Sequence, residues 1–155
     1  MGNATGWAWM VWAALAGAGI PVMAALNGAL GRTLGSPPAA VFILFLVGLL
    51  SALAFLLVTG SSSALSRTSF ATPAMFGGGL IVAFYIFSVT FLTPRYGVGN
   101  VILFVMVAQI ATSAIIDHFA LFGATQRPVD ALRLFGIALM LAGLATTQIA
   151  SARTG

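Results

Sequence analysis

Few residues of this chain carry groups that could perform acid–base or nucleophilic chemistry. Of its 155 residues, six are Lys or Arg, two are Asp or Glu, one is His and none is Cys. Asp117 and His118 form the one adjacent pair of a carboxylate and an imidazole, but successive helix residues point about 100° apart and would not share a target. No nucleophile pattern surrounds them. We therefore predict a protein that is not an enzyme, without catalytic residues, metal site or cofactor.

Other polar residues fall inside long apolar stretches, where a polar side chain needs a partner or a role. Gln109 shares one helical face with Ser113 and Asp117, four and eight residues further along the chain. These residues and polar residues of two other stretches are predicted to line a small polar cavity. The predicted substrate-binding residues are Asn27, Tyr85, Ser88, Gln109 and Ser113.

Tyr85, Ser88, Gln109 and Ser113 also have a purely structural interpretation. Ser and Thr hydroxyls often bond to carbonyls of their own helix, and a lone Gln can hold two helices together. Asp117 and His118 are candidates for coupling proton movement to substrate binding. Asp117 lies at the end of its apolar stretch, however, where it could stay hydrated, bond to the helix end or pair with an arginine.

The composition of the chain indicates the kind of protein in which these residues occur. Hydrophobic residues make up 61% of the chain and charged residues 5%, and the mean hydropathy is +1.12. Soluble domains are about half apolar and a quarter charged, so this composition indicates an integral membrane protein. The net charge of +4 comes from scattered arginines rather than a basic patch, which argues against nucleic acid as a partner.

Five apolar stretches reach the length of about 20 residues that a helix needs to cross a bilayer. The predicted spans are residues 7–26, 39–59, 73–92, 98–116 and 131–149. Prolines suit the first turn of a helix, so Ser36-Pro37 and Pro73 are predicted to open spans two and three. We predict an all-α membrane protein with a single transmembrane domain over residues 1–155.

The arginines are divided equally between the two faces of the membrane. With five spans, one face carries Arg67, Arg127 and Arg133, and the other carries Arg32, Arg95 and Arg153. Short loops normally carry more Lys and Arg on the cytoplasmic face, and that excess sets the orientation. Its absence predicts dual topology, in which copies insert both ways. The alternative is that so few charges give a weak signal and another feature sets one orientation.

Copies of opposite orientation can pair into an antiparallel ten-helix dimer with inverted symmetry. Many transporters encode the same symmetry as an inverted repeat within one chain. Gly136 and Gly143 lie seven residues apart on one face of the last span. We predict that they pack against the second copy, because small residues let membrane helices approach closely. The alternative is packing within one chain.

Four sequence elements resemble a known family. They are Asn27-Gly28-Ala29-Leu30-Gly31, Ser36-Pro37, Gln109 followed by Asp117-His118-Phe119-Ala120-Leu121-Phe122-Gly123, and Arg133-x-x-Gly136. Together they resemble the YdcZ-like family, a half-size branch of the drug/metabolite transporter superfamily, over essentially the whole chain. The run from Ile116 to Gly123 is the most specific part. Ala120 departs from the glycine usual in the family at that position.

The resemblance implies a five-helix protein of the bacterial inner membrane. Members look like dual-topology single domains, oppositely oriented gene pairs or fused inverted repeats, and the balanced arginines place this chain with the homodimeric kind. The chain is more distantly similar to the small multidrug resistance transporters, which carry a membrane-embedded Glu for proton and cation binding. This chain has no Glu, so that exchange mechanism is not carried over.

Three functions stay open at the level of sequence. The first is transport of a small organic solute by the antiparallel homodimer through alternating access. A cavity without a buried carboxylate or amine favours a neutral or zwitterionic solute. The second function is a dimeric channel with a fixed polar pore. The third is a non-transporting helper subunit. The predicted partners are a second copy of the chain, the lipid bilayer and a small-molecule solute, without nucleic acid.

Overall fold

The computed structural model describes residues 7–154, which form two compact units, one ending at Val98 and the other beginning at Gly99. The α-helices are α1 (Ala8–Thr33), α2 (Pro37–Val58), α3 (Gly77–Tyr96), α4 (Val98–His118) and α5 (Ala131–Thr154). All five are long and apolar enough to cross a membrane. No strand occurs among the described residues. The prediction of an all-α protein with five candidate membrane spans is therefore confirmed.

Helix α1 continues past Leu26, where the first predicted span ends, and reaches Thr33. Its end is a Schellman motif: the Gly35 N–H donates to Arg32 O at 3.1 Å and the Ser36 N–H donates to Gly31 O at 3.0 Å. Gly35 has φ +64°, a left-handed conformation that glycine adopts without steric cost. Helix α1 is therefore closed by a glycine-dependent turn and not by the loss of apolar residues.

The connections between the helices follow local sequence signals. Ser36 caps α2, since its Oγ accepts from the Ala39 N–H at 3.4 Å, and Pro37 occupies the first turn. Two short 3₁₀ segments, Ser61–Phe70 and Pro73–Phe76, precede α3. Only Gly97, with φ +82°, separates α3 from α4. The turn between these helices is thus shorter than the gap between the predicted spans 73–92 and 98–116.

In the first unit, α1 packs against α2 and α3 through its second half. A Cβ added to Gly31 would lie 3.4 Å from Pro37 Cα and 3.7 Å from Thr90 Cγ2. A Cβ added to Gly28 would lie 3.5 Å from the Pro94 ring. These glycines therefore permit the close approach of three helices, as small residues do in membrane proteins.

In the second unit, α4 and α5 run antiparallel and are joined by side-chain pairs near both ends. Gln148 Nε2 donates to Asn100 Oδ1 at 3.1 Å near one end. Arg133 Nη2 donates to Asp117 Oδ2 at 2.7 Å near the other. Most side chains of α5 are exposed in the isolated chain, and those of α4 are mostly half-buried or exposed. Such apolar exposed faces suit contact with lipid or with another chain.

Candidate functional site

Asn27 is the member of the predicted substrate-binding set that the structure buries most deeply, with 4% of its surface exposed. Its Nδ2 donates to Thr90 Oγ1 at 2.5 Å, which ties α1 to α3. The residue also borders an apolar groove of about 420 Å³ between α1 and α2, lined by Leu30 and Ile43 among others. Asn27 therefore has a packing role that the sequence did not indicate.

Tyr85 and Ser88 lie near the middle of α3 in different hydrogen-bonding states. The Ser88 hydroxyl donates to Phe84 O at 2.8 Å, within its own helix. The Tyr85 hydroxyl is buried and has no hydrogen-bond partner among the described residues. A buried hydroxyl normally has a partner, so Tyr85 retains an unused polar group inside an apolar helix.

On α4, the Ser113 side chain has a hydrogen-bond partner and the Gln109 side chain has none among the described residues. Ser113 Oγ donates to Ile110 O at 2.9 Å, again within its own helix. Gln109 is exposed and makes no hydrogen bond to any residue that the structure describes. Of the five predicted binding residues, Asn27 alone bonds to a polar side chain of another helix within residues 7–154. The structure thus leaves Tyr85 and Gln109 with free hydrogen-bonding groups.

Asp117 forms an ion pair with Arg133. This ion pair joins the end of α4 to the start of α5. The Asp117 Oδ2 to Arg133 Nη2 distance is 2.7 Å, and both side chains are 31% exposed. The backbone carbonyl of Asp117 also accepts from the Arg127 N–H at 2.9 Å. Of the structural alternatives open for Asp117, pairing with an arginine is the one observed here.

His118 faces a different partner from Asp117, as the 100° offset between successive helix residues predicts. Its Nδ1 accepts from the Val129 N–H at 3.0 Å, and its carbonyl accepts from Gln126 Nε2 at 3.4 Å. The two residues together hold the α4–α5 connection against the end of α4.

The same connection contains backbone strain at two residues, one of them Ala120, where the family that the sequence resembles usually has glycine. Ala120 has φ 49° and ψ 38°, and Phe122 has φ 56°, both in the left-handed region. A side chain there costs about 1–2 kcal/mol per residue, and glycine avoids most of that cost. The structure thus gives a physical reason for the usual glycine at the position of Ala120.

Replacing Ala120 by glycine should stabilise the protein by about 0.5–1 kcal/mol, because glycine relieves the positive φ. Ala124 supplies a matched control, since its φ is −65° and its conformation is extended. Ala124→Gly should not stabilise the protein. Free energies of unfolding from reversible denaturant titration in mixed micelles would check both values. Equal effects of the two substitutions would contradict the strain at residue 120.

Two arginines at the ends of α1 and α3 line one cavity. Arg32 and Arg95 border a space of about 320 Å³ at the ends of α1 and α3, together with Gly31, Thr90 and Phe91. The sequence contained a signal for this proximity. Each arginine lies in the last turn of an odd-numbered helix, so both occur at the same face of the membrane.

Gly136 and Gly143 have open space beside them. No described atom lies within 4 Å of a Cβ built at either residue, apart from their own helix backbone and chain neighbours. Gly48 on α2 is open in the same way. Within the described chain these positions make no close helix contact, so their packing against a second copy stays a prediction.

Comparison with known proteins decides the family. The family model described as "Putative inner membrane exporter, YdcZ" matches residues 8–146, which cover parts or all of the five helices. The chain belongs to the YdcZ family. No curated protein and no solved structure matches the chain. Membership of YdcZ and five spanning helices identify a multi-pass transporter of the inner membrane, a kind of protein that is not an enzyme.

In this YdcZ member, the sequence elements that carry the family resemblance make contacts between or at the ends of helices. Asn27 bonds to Thr90, and Gly31 lies against the start of α2. Ser36 caps α2, and Asp117 pairs with Arg133. Apart from Gln109, these elements therefore mark helix junctions, whereas Gln109 and Tyr85 lie within the spans and keep free polar groups.

Proposed function

We propose that this protein moves a small organic solute as an antiparallel homodimer of chains inserted in both orientations, by alternating access. The observation that carries the proposal is the position of its arginines. Arg32, Arg95 and Arg153 occupy the last turns of α1, α3 and α5. The other three lie between α2 and α3, between α4 and α5, and in the first turn of α5. Neither face therefore has the excess that selects one orientation.

The large exposed surface of the isolated chain supports pairing with a second copy. In the most apolar stretch of 18 residues, 0% of the residues of α2 and 6% of those of α5 are buried. Gly48, Gly136 and Gly143 leave room on these two helices for a closely packed neighbour. In the antiparallel dimer the two chains supply the inverted halves that other transporters encode in one chain.

The free polar groups of the spans form the proposed substrate site. The Gln109 amide and the Tyr85 hydroxyl are available to bond a solute, since neither has a partner among the described residues. Ser88 and Ser113 can still accept hydrogen bonds, because a hydroxyl that donates keeps its lone pairs. Asp117 is the proposed coupling residue, because protonation would neutralise the partner of Arg133 and weaken the tie between α4 and α5.

Cysteine labelling at both faces tests the topology. The chain has no Cys, so single substitutions supply the only thiol. Ser63→Cys lies between α2 and α3, and Thr33→Cys lies at the end of α1, so they mark opposite faces. In intact cells an impermeant thiol reagent should label about half of each variant if both orientations coexist. Complete labelling of one variant and none of the other would contradict dual topology.

Gln109→Leu should greatly reduce solute flux while leaving the folded dimer intact. Hydrogen bonds within membranes contribute on average about 0.6 kcal/mol, and Gln109 makes none to a described residue, so folding should survive. Counterflow in liposomes measures flux and distinguishes a transporter from a channel. Ser51→Ala, on α2 and outside the proposed site, removes a hydroxyl that bonds its own helix, so it is the control and should retain the flux. Normal counterflow by Gln109→Leu would show that Gln109 is not in the substrate site.

A further inference from the structure

The cavity at the ends of α1 and α3 contains an unusual set of polar groups for a membrane protein. Arg32 and Arg95 both line it, and so does Thr90. The chain has two acidic residues in all, Asp117 and Asp130, and both belong to the other unit. Within the unit that forms this cavity, the charge of the two guanidinium groups is therefore not balanced by a carboxylate.

The two arginine side chains around this cavity have N–H donors without an acceptor among the described residues. The Arg32 side chain makes no hydrogen bond or ion pair with a described residue. Arg95 is held by one bond from its Nη1 to Phe91 O at 2.9 Å, and its Cζ lies 3.6 Å from the centroid of the Phe91 ring. A guanidinium has five N–H donors, so most donors of Arg95 remain free.

Thr90 supplies a third donor from a buried position. It is 2% exposed, and its Oγ1 accepts from Asn27 Nδ2. A hydroxyl that accepts can also donate, and the Thr90 hydroxyl has no acceptor among the described residues. A buried donor without an acceptor is costly, so a ligand oxygen in the cavity would satisfy it.

We propose that this cavity binds an anionic oxygen group, a carboxylate or a phosphate, through Arg32, Arg95 and Thr90. Guanidinium groups bind carboxylates and phosphates through short, charge-assisted and often bidentate hydrogen bonds. A volume of about 320 Å³ suits the head of a small solute. A solute bound at this site would carry an acidic group, which agrees with a zwitterionic solute but not with a neutral one.

Binding at this site does not depend on the transport mechanism proposed above. If the antiparallel dimer forms, its two copies of the cavity open at opposite faces of the membrane. The anionic group has two sources, a soluble organic acid or phosphate and the phosphate of a membrane lipid. Arginines at helix ends lie at the depth of lipid headgroups, so both sources can reach the cavity.

The experiment measures the thermal stability of the purified protein in a non-ionic detergent with inorganic phosphate, and with sodium chloride at equal ionic strength. A ligand that binds only the folded state raises the apparent Tm. Phosphate should raise the Tm of the wild type by at least about 2 °C more than chloride does. Arg32→Gln should remove this difference. Arg67→Gln makes the same charge change away from the cavity and should retain it.

A second arm adds phosphatidylglycerol or phosphatidylcholine to the same micelles. Stabilisation by phosphatidylglycerol alone, lost in Arg32→Gln and kept in Arg67→Gln, would support the site and assign a lipid as its ligand. Arg32→Gln decides the result, because Arg95 also packs on Phe91 and its replacement can lower the basal stability. Arg32→Lys should keep part of the response.

The proposal fails if phosphate and phosphatidylglycerol give no shift beyond their controls, or if Arg32→Gln and Arg67→Gln respond alike. The assay requires neither flux nor a defined orientation in a membrane. A negative binding result therefore leaves the transport proposal standing, and a protein that binds phosphate but does not transport would retain the site without the function.

Discussion

Three lysines added to one face of this chain should abolish transport by the variant alone. Ser61→Lys, Ser62→Lys and Thr125→Lys lie in the connections after α2 and α4, at the same face of the membrane. They raise the positive residues on that face from three to six, and such an excess fixes the orientation. Solute flux should fall by more than about tenfold, because copies of one orientation cannot form the antiparallel pair.

Transport should return when a counterpart with lysines on the other face is expressed in the same cell. Thr33→Lys, Ala152→Lys and Thr154→Lys make that counterpart. Either variant alone should be inactive, and the two together should form dimers of opposite orientation. Glutamine at the same positions is the neutral control and should leave dual topology and flux unchanged. Full flux from one lysine variant whose cysteine labelling shows a single orientation would overturn the antiparallel dimer.

Asp117→Asn should abolish uptake that is driven by a pH gradient while it spares downhill exchange of the solute. Asp117 is the single carboxylate within the five helices, since Asp130 precedes α5. Asparagine keeps the shape of the side chain but cannot bind and release a proton. Partly exposed ion pairs contribute roughly 0–1 kcal/mol, so loss of the pair with Arg133 should not unfold the protein. Uptake in liposomes with and without an imposed pH gradient measures the effect.

Asp130→Asn is the matched control for this measurement. Asp130 Oδ1 accepts from the Arg133 N–H at 2.7 Å, a capping role that asparagine performs equally well. This variant should respond to the gradient as the wild type does. If Asp117→Asn responds equally, Asp117 is a structural tie and not the coupling residue, and the protein is a uniporter, a channel or coupled to another ion.

The helices and their membrane character were predictable because they depend on local composition. A continuous run of about 20 apolar residues crosses a bilayer as a helix, since the helix satisfies every backbone group within the segment and barrel strands are shorter and alternate apolar with polar residues. Ser36-Pro37 at the start of α2 is also a local signal, and the structure confirms it. Seven residues at the end of α1, from Asn27 to Thr33, were missed because their glycines resemble a loop in sequence.

The sequence predicted which polar residues lie within the spans, but it did not predict their hydrogen-bond partners. Helical periodicity put Ser88 and Ser113 within spans, yet each hydroxyl bonds to its own backbone. The periodicity of one helix does not show which residue of another helix its side chains contact. The bond from Asn27 to Thr90 joins residues 63 positions apart, and only the folded chain brings them together.

The sequence by itself determined a five-helix membrane protein with balanced arginines, because hydropathy and charge act locally on each segment. Tertiary structure decided which charges find partners. It pairs Asp117 with Arg133 and places Arg32 and Arg95 around one cavity without a carboxylate in their unit. The physical reason is that ion pairs and cavities depend on distances of a few ångströms between helices, which helix packing sets and composition does not.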